Sequence, residues 1–557
     1  MAMTSAATRS RRMAVCAVVL VLIGVVGLSA GAQLFSRDEL IEDARQLARL
    51  IEDSHPDPFL RCGGRVVFYR QVNRLLNAIP EAGMTKDDFI RLIRPLVAMV
   101  GDAHTMVVST YDLNGYYPGG VPLRFAVVEE SLYVAGALSQ ADEVYLGCVL
   151  VSVEGVPVGE LMTRLRAQAG LENDYHVLYV LTEQSLWWGP YLADLLPEWA
   201  DHTSIRVQLR SVGGDTSEVV FKLPRYAGYY RTAPTAVRLP GVNTAGFYAG
   251  LSTLPSAGAK PIGWIRIDHQ TGFREAVEEN TNAGALETTE AERAQIPSAT
   301  EEFRDLVVEM AAAGTETLII DLRGDVGSTD LLADILVYFL YGIEGLRTYR
   351  GDPYIHGGAS VMRYSALHFS VNTNRSIDEV NEDIDGVPLE VGDYDFSNDF
   401  TGRLDVLLEI IRQMDVKAYL ADGYKHTPTF YSEFETGAYA AYYTPRNILV
   451  LVSPKTFSAG STTMKAVSLN GATLVGTPSG QSIRGFGNAT LWTLDHTGVQ
   501  GLIARSYFDP YPNDPERSEV WPIDVPLTHE YLAATGFDPN AEVLLALDWL
   551  ASQSEAE

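Results

Sequence analysis

The stretch from Asn447 to Gly476 constrains this chain more than any other. Asn447-Ile448-Leu449-Val450-Leu451-Val452 is short and almost wholly apolar, the pattern of a buried strand. Ser453-Pro454-Lys455-Thr456-Phe457 reads as a turn, and Ser458-Ala459-Gly460-Ser461 opens a helix predicted to reach about Leu469. Asn470-Gly471 stops it, and Ala472-Thr473-Leu474-Val475-Gly476 is the next strand. A similar alternation runs upstream. A helix over Glu301–Ala313 passes through Gly314 into the apolar strand Leu318-Ile319-Ile320-Asp321-Leu322, followed by a glycine-rich loop and a helix from Leu331 to Leu340. The predicted fold class is mixed α/β.

A serine at the first turn of a helix sits among unpaired backbone N–H groups, at the positive end of the helix dipole. Two readings follow for Ser458. It is a cap that satisfies one of those donors, or it is a nucleophile whose tetrahedral oxyanion they stabilise.

The remaining chain divides by pattern. Residues 1–32 read as a signal peptide: Arg9, Arg11 and Arg12 precede the apolar run Met13 to Leu28, and Ala30-Gly31-Ala32 offers small residues for cleavage. An uncleaved membrane anchor is the alternative, and no later run is long and apolar enough to cross a bilayer. Residues 33–110 form a helical cap, with Leu40, Ala44, Leu47, Ala48 and Ile51 on one helical face and Phe89, Ile93, Leu96 and Val97 on another. It ends at Gly101-Asp102-Ala103-His104-Thr105. Residues 120–230 turn β-rich, and Leu146 to Val158 reads as strand, Glu-Gly turn, strand, then a helix from Gly159. Residues 346–439 are an insertion with acidic loops between about Asp383 and Asp399 and a helix near Leu404–Met414. Residues 531–557 are a C-terminal helix and tail.

The formal charge is −29, from 71 acidic and 42 basic side chains. That excess repels phosphate backbones and anionic lipid, so neither a nucleic acid nor a membrane surface is an expected partner. After cleavage of the signal, Cys62 and Cys148 remain; in an oxidising compartment they pair or stay as buried thiols. Nothing in the spacing of Cys and His supports a zinc site, and no metal or cofactor is expected.

Asp321-Leu322-Arg323-Gly324-Asp325-Val326-Gly327-Ser328, Phe457-Ser458-Ala459-Gly460 and Ala472-Thr473-Leu474-Val475-Gly476 occur in the order of three segments of the S41 peptidases. These are the C-terminal-processing and tricorn-type serine proteases, with their "D-L-R-x-N-x-G-G" loop, "S-A-x-E" turn and "A-x-x-V-G-E" strand. Leu146 to Val158 also resembles a segment of PDZ domains, although any small β-rich domain would fit it. The S41 resemblance implies a crotonase-like catalytic domain over residues 245–345 and 440–530, acting on a peptide or protein; the signal segment places it in the periplasm or outside the cell. It implies Ser458 as nucleophile and the N–H groups of Gly327 and Ala459 as oxyanion hole. The chain departs from the pattern at Asp325, where the family has Asn, at Ser328 and at Ser461.

Many S41 enzymes pair the serine with a lysine in the loop after the next strand, but Thr477 to Arg484 contains none. Arginine does not release its proton at working pH. Lys455 is expected to face solvent, and Lys465 lies along the helix. Gly101-Asp102-Ala103-His104-Thr105 resembles the "G-D-x-H-T" segment of the histidine-using branch, which implies His104 as general base. Its alternative is a helix-terminal histidine bonding free carbonyls. The acid that orients the imidazole is sought in Asp102, Glu516 or Glu519. His55 is expected to shape the cap. The rival functions are a non-catalytic ligand or peptide carrier on the same fold and an esterase using the same site.

Overall fold

The computed structural model describes residues 33–109, 119–199, 203–223, 230–252, 261–282, 286–371, 376–382, 387–399, 421, 423–436 and 443–556. The expected signal segment 1–32 and the helix expected at Leu404–Met414 lie outside the described residues. The fold is mixed α/β, in two compact units.

The first unit draws its described residues from Leu239–Ile355 and Asp405–Leu474. Its strands stand in the order Phe247–Ser252, Ile262–Ile267, Thr317–Asp321 and Asn447–Val452. The first pair is antiparallel and the next two are parallel. Parallel strands covered on both faces carry continuous apolar runs, which explains why Leu449, Val450, Leu451 and Val452 are all fully buried. The helix Ala299–Ala313 ends at Gly314 in the left-handed conformation and leads into Thr317–Asp321. The next helix begins at Leu331, as expected, but continues to Ile355 across a break at Gly342, whose φ is 70°. Its first ten residues are almost entirely buried, as an all-round apolar helix must be.

The second unit holds Ser29–Arg238, His356–Leu404 and Val475–Glu557. Three helices, Arg37–Ser54, Lys86–Ala98 and Arg65–Ala78 between them, make the expected cap. The first is started by a capping box between Ser36 and Glu39. Leu40, Leu47, Ile51, Phe89, Ile93 and Leu96 pack with Trp492, Leu494, Val499 and Ile503 in one core. Asp43, fully buried in that contact, accepts the backbone N–H groups of His496 and Thr497 at 3.0 and 2.8 Å.

An antiparallel sheet follows: Leu123–Val128, Ser131–Ala137, Val149–Val153, Ser204–Arg210 and Thr216–Lys222, with Val156–Pro157 paired to the third strand. The predicted Glu-Gly turn is present, with φ of 50° at Glu154 and 78° at Gly155. Both values are positive, as the tight hairpin turn requires. Cys62 and Cys148 are separate thiols, not a disulfide. Cys148 belongs to the apolar core of this sheet, and Cys62 points its sulfur at the carbonyls of Phe59 and Gly64.

One stretch departs from expectation. Tyr394–Asp399, expected among acidic loops, is a strand paired antiparallel with Ala359–Arg363. The segment after Leu474 falls in the second unit, where Val475 and Gly476 pair in parallel with Val525 and Pro526. Its strands find partners there: Ser506–Asp509 pairs with Ala359–Arg363, and Gln500–Ile503 pairs with Met106–Val107 just beyond His104. The C-terminal helix spans Ala541–Ala556. Among the described residues no helix is long and apolar enough to cross a membrane.

Candidate active site

Within the first unit, two loops at the ends of adjacent parallel strands build the surroundings of Ser458. The turn after Asn447–Val452 is tied to the loop after Thr317–Asp321 by side-chain and backbone bonds. Ser453 Oγ donates to the Arg323 carbonyl at 2.9 Å, Thr456 Oγ1 to the Leu322 carbonyl at 2.8 Å, and the Phe457 N–H to the Asp325 carbonyl at 2.9 Å. Arg323 is itself held by two bonds to the Asp321 carboxylate.

Ser458 then enters the helix Ala459–Leu469 with φ 51° and ψ −125°. For a residue with a side chain this is a strained conformation, of order 1–3 kcal/mol. Its side chain accepts no capping bond from the helix, so the capping alternative fails. The kink instead raises the serine at the helix head.

Gly327 lies directly beneath. A Cβ there would stand 2.5 Å from the Ala459 nitrogen, 2.7 Å from the Phe457 carbonyl oxygen and 2.8 Å from Ser458 Cβ, and φ at Gly327 is 83°. Only glycine fits. The N–H of Gly327, expected to point at an oxyanion, is engaged in this structure: it donates to Asp325 Oδ1 at 2.9 Å. The reason is the departure at position 325, whose carboxylate closes a tight turn two residues on. Ala459 N–H is the first of the helix and has no intrahelical acceptor by construction. Lys455, expected to face solvent, is partly buried, and its ammonium acts electrostatically on Asp325.

The second unit places His104 in a buried polar cluster. Asp102 is fully buried and accepts Nε2–H of the equally buried His55 at 3.1 Å and the His104 backbone N–H at 2.8 Å. His55 Nδ1 accepts the Asp57 N–H, which fixes the proton on Nε2. His55 therefore positions Asp102, in keeping with a role in shaping the cap. Burial raises the Asp102 pKa, but its bonds to His55 and the charges of both histidines outweigh that and bring it below the usual value. Burial pulls the His104 pKa down, against the Asp102 charge and a bond to the Phe486 backbone.

The sequence reading missed Glu172. This residue precedes Asn173, the cap of the helix Asp174–Val180, and nothing in a Leu-Glu-Asn string distinguishes it from a surface acid. Its Oε1 accepts the Ala103 N–H at 3.1 Å, while Oε2 is buried without a hydrogen bond, 3.7 Å from the Arg61 guanidinium. Burial lifts its pKa to about 8, with Arg61 opposing and Asp102 adding to the rise. One ligand atom each of Asp102, His104 and Glu172 lie within 4.8 Å of one another. These are the groups that would meet a divalent cation, with His104 as its nitrogen ligand. Glu516 and Glu519, the other expected acids, are exposed on the short helix Pro515–Glu519; the Glu519 charge still reaches Glu172.

Two outcomes follow. Gly327→Ala forces a methyl group into backbone atoms and should lower the reactivity of Ser458 by about 10²-fold or more, read as the rate of labelling by a fluorophosphonate. Glu172→Gln tests the neutral acid. Folded Glu172 keeps its proton up to about pH 8, whereas the unfolded chain releases it near 4.5, so its stability contribution is whole below the lower value and lost as pH rises through the upper. Thermal melts should show little difference at pH 4 and a gain of several degrees for the glutamine variant at pH 9.

Residues 279–509 match the sequence profile of peptidase family S41. No curated protein sequence matches the chain. Among solved structures, mature CPAF is similar at 14% identity, over 92% of this chain and 98% of that one, with a TM-score of 0.51. A mutant form of CPAF is similar at 13% identity, over 92% and 97% of the two chains, again with a TM-score of 0.51. At such identities the likeness is one of fold. Over residues 279–509 the chain is similar to peptidase family S41, and that likeness supports a serine-type peptidase.

Proposed function

We propose that this peptidase cleaves peptide bonds through an acyl-enzyme on Ser458, with His104 as its general base. The observation that carries the reading is the backbone of Ser458, bent to φ 51° at a helix head with no capping bond, above a glycine that admits no side chain. Strain of this kind is maintained where a nucleophile must be presented.

In the first step Ser458 Oγ attacks the substrate carbonyl and passes its proton to the imidazole. The oxyanion takes the Ala459 N–H and, once released from Asp325, the Gly327 N–H. Collapse breaks the C–N bond, and the imidazolium gives its proton to the leaving amine. Water, deprotonated by the same histidine, then hydrolyses the ester and restores the serine. Lysine has no place in this scheme, because the loop from Thr477 to Arg484 has none. Asp102 fixes the backbone of His104 and stabilises the imidazolium electrostatically; Glu172 closes the cluster beside it. Substrates are peptides or proteins, and the N-terminal segment would carry the enzyme out of the cytoplasm before being removed.

Labelling of the purified chain with a fluorophosphonate tests the nucleophile. Ser458→Ala should abolish labelling, and equal labelling of both forms would refute the assignment. No labelling, with an apolar ligand bound to the purified protein, would favour a carrier. The base is tested by the pH dependence of kcat/KM. Desolvation of His104 lowers its pKa below the ordinary 6.5, so its neutral form persists to lower pH. The acid limb should therefore have its midpoint below pH 6.5. A profile that rises only above about pH 8 would indicate a lysine base instead.

A further inference from the structure

Asp325 is a buried carboxyl placed against the donor group of a reaction that creates negative charge. Its exposure is nil. Oδ1 accepts the Gly327 N–H at 2.9 Å, and Oδ2 accepts Gln270 Nε2 at 2.6 Å. Its carbonyl accepts the Phe457 N–H, next to Ser458. A Cβ on Gly460, two residues beyond Ser458, would lie 2.9 Å from Asp325 Cγ. Gln270 is fixed in turn: its amide nitrogen also donates to Thr463 Oγ1 at 3.1 Å, and its backbone N–H donates to the Gly327 carbonyl at 3.2 Å. Asp325 is thus tied to its own loop through the carboxyl and to the turn that presents Ser458 through its carbonyl.

We infer that Asp325 is a positioning residue whose charge sets whether the Gly327 N–H serves the oxyanion. As a carboxylate it holds that N–H in a charge-assisted bond and sets a full negative charge against the donor meant for the oxyanion. As a neutral acid it is a weaker acceptor, its charge is gone, and the N–H is released to the substrate. The proton involved is taken up from water and returned to it; no bond of the substrate passes through Asp325. The inference rests on the reading of Ser458 as nucleophile.

The surroundings favour the neutral form near neutral pH. Burial raises the Asp325 pKa to about 7, opposed by the bonds from Gln270 and the Gly327 N–H; the Asp268 charge adds to the rise and the Lys455 charge counters it. Asp268 is itself paired with Arg266, at 3.0 and 3.1 Å. The expected consequence is an upper limit to activity that a histidine base alone does not impose. Reactivity falls as pH climbs past the Asp325 titration, although the base is by then fully deprotonated.

The test compares full-length wild type with Asp325→Asn, which keeps an oxygen for the Gly327 N–H but cannot ionise. The readout is the second-order rate of fluorophosphonate labelling at pH 6 and pH 8.5. For wild type the rate should fall about tenfold or more between the two, the share of one oxyanion donor being about 10²–10³. For Asp325→Asn it should stay level or rise. Asp325→Ala, which loses the turn as well as the charge, should be slow at both values, separating geometry from ionisation. An equal fall in wild type and Asp325→Asn, or no fall in wild type, would overturn the inference while leaving the labelled serine in place. Labelling that persists in Ser458→Ala would instead strike the reading beneath it.

Discussion

The bend at Ser458 is the constraint on which the surrounding architecture depends. An L-residue with φ 51° and ψ −125° does not stay there by preference; neighbouring bonds must over-determine it. The structure supplies them from one neighbouring loop. Three donors in the turn 453–457 reach carbonyls of residues 322–325, and those carbonyls are fixed because Asp321 clamps Arg323 from both oxygens. The two loops leave adjacent parallel strands in register, Asp321 opposite Leu451. Parallel pairing at the carboxyl ends of the strands is what brings two unrelated loops to one place. The apolar strands are therefore not merely core; they set the separation at which Gly327 underlies Ser458.

Much of this was legible in the residues. The strand 447–452, the helix 459–469, the helix 299–313 with its glycine stop, and the hairpin at Glu154-Gly155 follow from apolar periodicity and turn chemistry alone. These are local signals, written within a dozen residues. What sequence reading missed is nonlocal. Tyr394–Asp399 carries acidic residues and becomes a strand because Ala359–Arg363 offers it an edge. The segment after Leu474 also pairs with residues 106–107 and 359–363, a choice no local pattern records.

The candidate site divides in the same way. Ser458 and His104 stand out because glycines and an aspartate bracket them. Glu172 was invisible, since burial makes it unusual and burial is a property of the fold. Asp325 lies between these cases. Its departure from Asn is plain in the sequence, yet its effect on the Gly327 N–H needed coordinates. The expectation that this N–H was available assumed a loop that differs from its relatives without consequence.

Glu172 and Asp325 show how the chain handles its excess of acid. A carboxyl removed from water without a full counter-charge tends to keep its proton, because the charged form bears the desolvation penalty. Asp102 escapes that fate through His55 and His104, and Asp321 through Arg323. Glu172 does not: burial outweighs the Arg61 charge 3.7 Å away, and that guanidinium donates instead to the Gly101 carbonyl. Asp325 has only neutral donors in contact, which favour the anion less than a cation would. The distinction is between carboxyls given a cation and carboxyls given dipoles. In each unit the first kind fixes backbone, while the second retains a proton that leaves within the physiological range. Such groups make both the stability and the reactivity of the polar clusters respond to pH, each through a different carboxyl. Stability declines as Glu172 ionises; the Gly327 N–H is withheld from the oxyanion as Asp325 does.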